Sequence, residues 1–108
     1  MVAQTWLSED EARYLARVLA GELRRLRRKL ASLKKELHEL EEQYGMSTEE
    51  FIEMYNKAKR DETVWRLPED ADMDSIEWLG LALMKKEIEE EIKRLEKILA
   101  KIRTSSEK

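Results

Sequence analysis

The feature that most constrains this chain is an unbroken stripe of apolar residues: Ala12, Ala16, Leu19, Leu23, Leu26, Leu30, Leu33, Leu37, Leu40 and Tyr44. The steps between them alternate between three and four. That period keeps one face of a helix apolar for more than four heptads, and only a neighbouring helix can bury it. The stripe is bracketed at both ends. Ser8-Glu9-Asp10-Glu11 reads as a capping box, and Gly45 as a left-handed C-terminal stop. The spacing predicts a first helix over 9–44, roughly 54 Å long at about 1.5 Å per residue.

Two further helix starts follow. Ser47-Thr48-Glu49-Glu50 is a second capping box, and Asp74-Ser75-Ile76-Glu77 is a third start with Asp74 as its cap. Met46 with Phe51, and Met73 with Trp78, stand at the spacing of hydrophobic staples. A short second helix is predicted over 48–59, with Phe51, Met54, Tyr55 and Ala58 on one face. A loop over 60–73 contains Pro68 and the acidic residues Glu69, Asp70 and Asp72; Val64, Trp65 and Leu67 predict that it packs down. A third helix is predicted over 75–102, and Thr104–Lys108 as a frayed tail. Its stripe is read as Leu81, Met84, Ile88, Ile92, Leu95, Leu99 and Ile102. Those steps include two consecutive fours, an eleven-residue period that winds less to the left than a heptad.

Composition narrows the function classes. Of 108 residues, 42% are charged and 42% apolar, with three glycines and one proline, the balance of long helices. No cysteine is present, which excludes disulfides, thiol nucleophiles and cysteine-ligated metal sites. With one histidine and no Glu-x-x-His motif, neither a catalytic triad nor a carboxylate-bridged di-metal centre is expected. No catalytic residue, metal or cofactor is assigned. Asp70, Asp72 and Asp74 begin like a calcium loop, but Ser75 stands where glycine is needed and Leu81 where the bidentate glutamate belongs. The longest apolar run, Trp78–Met84, is too short to span a membrane, and Met1–Leu7 lacks the pattern of a signal peptide. A cytoplasmic protein is expected.

Charge is arranged in blocks. Seven basic residues and no acidic one lie between Arg24 and Lys35; seven acidic residues and no lysine or arginine lie between Glu36 and Glu53. The third helix carries Glu87, Glu89, Glu90 and Glu91. An antiparallel hairpin of the first and third helices sets the basic block against this acidic one, with Arg27, Lys29, Lys34 and Glu36 flanking the seam. Arg24, Arg25, Arg28 and Lys35 then point outward. They are a candidate anion or nucleic-acid face, whose ordinary reading is a solvated helix surface. His38, beside the seam position Leu37, is expected to face solvent.

Apolar residues left over from the stripes are the candidate partner contacts. Leu15 and Val18 lie off the first stripe; Leu79, Leu83 and Ile98 lie off the third. Trp65 in the loop and Trp6 on the N-terminal arm are candidate aromatic anchors. A stripe wider than a two-helix seam belongs to a bundle. Dimerisation into a four-helix arrangement, or a foreign partner helix, would supply the missing neighbours.

The stretch Tyr44-Gly-Met-Ser-Thr-Glu-Glu-Phe51, followed by an acidic loop and Met73-Asp-Ser-Ile-Glu-Trp78, sits between two long helices. In that layout the chain resembles small prokaryotic, largely archaeal, coiled-coil antitoxin-like proteins. The resemblance implies binding and neutralisation of a cognate protein, with no catalytic residues. No ribbon-helix-helix or helix-turn-helix segment accompanies it. The expectation is an all-α single domain over 1–108: a long antiparallel helical hairpin with a short helix at the turn, homodimeric. Its first expected function is non-enzymatic protein–protein interaction. The alternatives are nucleic-acid association through the basic face and a purely structural self-assembling coiled coil.

Overall fold

The computed structural model describes residues 7–60 and 65–106. Among them no strand occurs. Three α-helices follow one another: α1 (Glu9–Tyr44), α2 (Thr48–Arg60) and α3 (Asp72–Ser106), with a 3-10 turn at Glu69–Ala71 leading into α3. Trp6 and Val64 lie outside the described residues.

The first two helix starts form as their residue order dictates. The Glu11 amide donates to Ser8 Oγ at 3.1 Å, and the Ser8 amide to Glu11 Oε1 at 2.9 Å. Ser47 and Glu50 repeat the exchange at 3.0 and 3.1 Å. Each box satisfies amides that the helix itself leaves unpaired. Gly45 closes α1 at φ +66°, and the Met46 amide folds back on the Glu41 carbonyl at 3.2 Å. Only glycine takes that backbone region without steric cost.

The third start differs from its expectation. Asp74 does not cap α3; the helix begins at Asp72, two residues earlier. The Ala71 amide donates to the Pro68 carbonyl at 3.0 Å, and the backbone passes from this 3-10 turn straight into α-helix at Asp72. Ala71, Ser75 and Trp78 are all buried, and their spacing extends the inward face upstream of Asp74. The Ser75 hydroxyl donates to the Ala71 carbonyl at 2.9 Å. Met73 is consequently outside the core and forms no staple. At the other end, helix continues to Ser106 through part of the expected tail.

The chain divides into two compact units, Met1–Leu30 with Glu87–Lys108, and Ala31–Lys86. α1 and α3 pack closely. In the first unit Ala12, Leu23 and Leu26 of α1 are buried with Ile88, Ile92, Leu95 and Leu99 of α3. Arg27 Nη2 bridges the helices to Glu96 Oε2 at 2.6 Å, as its place beside the seam predicted.

The second unit is built on aromatic rings. Phe51 and Trp78 are fully buried and stack at 4.1 Å with an interplanar angle of 1°. Tyr44 stacks on the other contact of Trp78 at 5.8 Å, and Trp65 meets Phe51 and Tyr55 edge-on at 6.4 and 6.3 Å. Leu33, Leu37, Leu40, Met54, Leu67 and Leu81 complete this core. Tyr44 pairs with Asp74 here, whereas Arg27 pairs with Glu96 in the first unit.

The seam of α3 also corrects its sequence reading. Met84 is exposed, and Lys85 is half-buried in its place. With Lys85 included, the inward positions are Trp78, Leu81, Lys85, Ile88, Ile92, Leu95, Leu99 and Ile102. Their steps alternate between three and four, a heptad period with a lysine at one seam position. The eleven-residue period came from counting the methionine.

Candidate protein-interaction surface

Moving Met84 off the seam exposes a second apolar stripe on α3, all of it in the second unit. Met73 is 75% exposed, Ile76 66%, Leu83 61% and Met84 41%. Gly80 is exposed at the centre, and Leu79 is half-buried at the edge. Residues 73, 76, 80 and 83 advance by three and four, so they share one helix face. At 3.6 residues per turn that face lies roughly opposite Trp78, Leu81 and Lys85. This first half of α3 is therefore apolar on two sides, and only one side is covered. Single exposed apolar side chains are ordinary; four close together on one side of a helix are less so.

A polar network lies behind the stripe. Trp78 Nε1 donates to Thr48 Oγ1 at 3.0 Å, and Thr48 Oγ1 donates to Glu41 Oε2 at 2.8 Å. The Thr48 amide donates to the same carboxylate oxygen at 2.7 Å. That amide is the main reason the Glu41 carboxyl lies below the usual carboxylate range. Tyr44 Oη donates to Asp74 Oδ2, and this bond, with some burial, pushes the Tyr44 hydroxyl up to about 12. Among the described residues no buried side-chain polar atom lacks a partner. α1, α2 and the start of α3 are thus tied together beneath the exposed stripe.

The other residues singled out from sequence are distributed as follows. Leu83 is on the stripe and Leu79 beside it. Trp65 is half-buried, with its ring engaged by Phe51 and Tyr55. In the first unit Val18 is exposed and Leu15 half-buried, and Tyr14 is exposed beside them. Ile98 is exposed on α3 of that unit. Trp6 lies outside the described residues. Arg24, Arg25 and Arg28 are exposed in the first unit, and Lys35 in the second. Arg25 is held by Glu22 through two contacts of 2.9 and 2.6 Å, which lowers the Glu22 carboxyl. Arg24 and Arg28 are engaged by no carboxylate among the described residues. His38 is exposed, as its position predicted, and lies 2.9 Å from Glu42.

Sequence reasoning missed Met73, Ile76 and Met84. Met73 was assigned to a staple and Met84 to the seam, and Ile76 lay inside the presumed cap. The signal that finds all three is the strict three-four alternation obtained once Lys85 is allowed on the seam. Compared with protein-family models, curated proteins and solved structures, the chain matches none.

Proposed function

We propose that this chain is a non-enzymatic protein–protein interaction module, an antitoxin-like regulator in the sense of the layout it resembles, acting through apolar helix faces. The observation that supports it is the stripe of Met73, Ile76, Leu83 and Met84, exposed on a helix whose opposite face is already buried. They stand at i, i+3, i+10 and i+11, with Gly80 between them, and apolar side chains along one face are what a helix presents to an apolar groove or to another helix. Burying such side chains contributes roughly 25 cal/mol per Å² before the costs of association are subtracted.

The test is a pull-down from native extract with the wild-type chain and with Ile76→Lys/Leu83→Lys, both folded by circular dichroism. The proposal expects a protein retained in fixed stoichiometry by the wild type and lost by the variant, self-association included. Equal retention by both overturns it. The alternative, nucleic-acid association, draws on the exposed Arg24 and Arg28, with Arg25 and Lys35 on the same helix. It expects recovery that is nuclease-sensitive and falls steeply between low and moderate salt. A purely structural coiled coil would self-assemble and retain nothing else.

A further inference from the structure

The α3 stripe leaves one strongly charged feature unused, the basic face of α1. In the first unit, residues 12–30 of α1 hold seven basic residues and one acidic residue, Glu22. Arg13, Arg25 and Arg27 are held by Glu9, Glu22 and Glu96, and Lys29 flanks the seam. Arg17, Arg24 and Arg28 are exposed and engage no carboxylate among the described residues. No aspartate or glutamate stands three or four positions from any of them. At 3.6 residues per turn the three lie within about 40° of one another around the axis, roughly opposite Leu23 and Leu26, over about 17 Å of helix.

This arrangement is unfavourable for the chain alone. Arg24 and Arg28 are like charges four apart, which destabilises a helix. Both stand far from the last turn, where the helix dipole would favour a cation. Gly21 lies on the same face, inside the helix, where glycine is worse than alanine. Among the described residues, a Cβ there would meet only Arg24 Nη2, at 3.8 Å, an ordinary contact. The packing does not demand the glycine, whereas an open backbone lets an outside group approach closely.

The residue types select a phosphate chain over an apolar surface. Protein contacts centre on buried apolar side chains, and between Arg17 and Arg28 this face has none. Tyr14, exposed, closes its N-terminal end with a hydroxyl that can donate to phosphate. Guanidinium forks match phosphate oxygens two at a time. A duplex offers roughly ten phosphates over such a length. α1 carries no asparagine or glutamine before Gln43, the residues that read adenine. Lys93, Lys97 and Lys101 also line α3, but Glu89, Glu90 and Glu96 stand within about a turn of Lys93. The first unit holds 13 basic and 10 acidic residues, the second 8 and 14.

We infer that the outward face of α1 in the first unit binds the phosphate backbone of duplex nucleic acid, without sequence preference, through Arg17, Arg24 and Arg28. This site is separate from the α3 stripe and does not depend on the stripe holding a protein.

Fluorescence anisotropy with labelled DNA and RNA duplexes of unrelated sequence tests it. Three neutralised phosphates give a slope of log affinity against log salt of about −2.7, a fall of about fortyfold between about 0.05 and about 0.2 M salt. Arg17→Gln/Arg24→Gln/Arg28→Gln, helical by circular dichroism, is expected to bind roughly tenfold or more weakly at the lower salt, with a flatter slope. Lys93→Gln/Lys97→Gln/Lys101→Gln removes the same charge from α3 and is expected to keep the wild-type affinity and slope. Binding of one duplex type and not the other supports the backbone reading and names its source. No binding by the wild type at the lower salt overturns the proposal. Equal weakening by both triple variants overturns it too, because net charge alone would then account for the effect. A nuclease-resistant protein captured from extract by the wild type and lost by the arginine variant overturns it in favour of an acidic protein. None of these outcomes bears on the capture test with Ile76→Lys/Leu83→Lys, so the two readings fail separately.

Discussion

Tyr44 shows how one residue can serve a core and a network together. Its ring stacks on Trp78, and its hydroxyl donates to Asp74, a carboxylate that sequence alone assigned to capping. The bond works only while the tyrosine keeps its proton. The hydroxyl is raised from an ordinary 10.0 to about 12 in the folded chain. Its folded value therefore exceeds its unfolded one, so its contribution is complete below 10 and is lost as pH climbs from 10 to 12. Tyr44→Phe is expected to cost about 1.5–3 kcal/mol at neutral pH, the range for a hydrogen bond to a charged group. The difference between wild type and variant should shrink towards zero by pH 12 in urea titrations run across that window. A difference that stays constant would mean the hydroxyl contributes nothing that titrates. The carboxyls of Glu11, Glu41 and Glu50 behave in the opposite sense. Each lies below its ordinary 4.5 chiefly because a backbone amide donates to it. Their stabilisation is present above 4.5 and fades as pH falls.

At the scale of elements, local chemistry and tertiary packing can be separated. α1 was legible from end to end, because Ser8, Glu11 and Gly45 act within one turn of where they stand. The start of α3 was not. Its bounds are set by the burial of Ala71 and by the demand of Tyr44 for Asp74, both contacts with residues distant along the chain. The candidate surface was half legible for the same reason. Leu83 stood out as surplus to any single stripe, while Met84 could be placed only by knowing that Lys85 faces inward. A lysine on the seam breaks the apolar pattern by which seams are recognised, yet its four-carbon stem can be half-buried with the ammonium left outside. The two assignments predict opposite mutants. Leu81→Lys buries a charge beside Trp78 and should cost several kcal/mol, with loss of helicity at any concentration. Met84→Lys should leave the fold within about 0.5 kcal/mol of wild type, although it weakens association. Circular dichroism melts at two concentrations distinguish these effects. If Met84→Lys melts early at high dilution as well, Met84 belongs to the core.

For the whole molecule, the question is whether charge or apolar burial holds it together. Net charge is −3 from 21 basic and 24 acidic residues, so the chain is nearly balanced, and its charges lie in blocks that invite an electrostatic account. The ion pairs point elsewhere. Glu9–Arg13, Glu22–Arg25, Glu53–Lys57 and Glu91–Arg94 each join neighbours three or four apart on one helix, and all are substantially exposed. Arg27–Glu96 does cross between helices, with side chains 54% and 48% exposed. Pairs of this kind contribute about 0–1 kcal/mol each and are screened by salt. Against them stand, among the described residues, sixteen buried apolar ones, including Trp78 and Phe51 with no exposed surface. A buried side chain of leucine or phenylalanine size contributes roughly 1.5–3 kcal/mol, so burial outweighs the pairs by a wide margin. The cross-helix pair Arg27–Glu96 accords with the block arrangement without supplying much of the stability. Raising sodium chloride from about 0.05 to about 0.5 M, across which screening shortens from well over 10 Å to a few Å, should therefore move the melting temperature by only a few degrees. Arg27→Ala should cost no more than about 1 kcal/mol. Thermal melts over that salt series decide the matter. A fall of tens of degrees would show that the blocks carry the fold, and would make Arg27–Glu96 and its neighbours the structural core of the first unit.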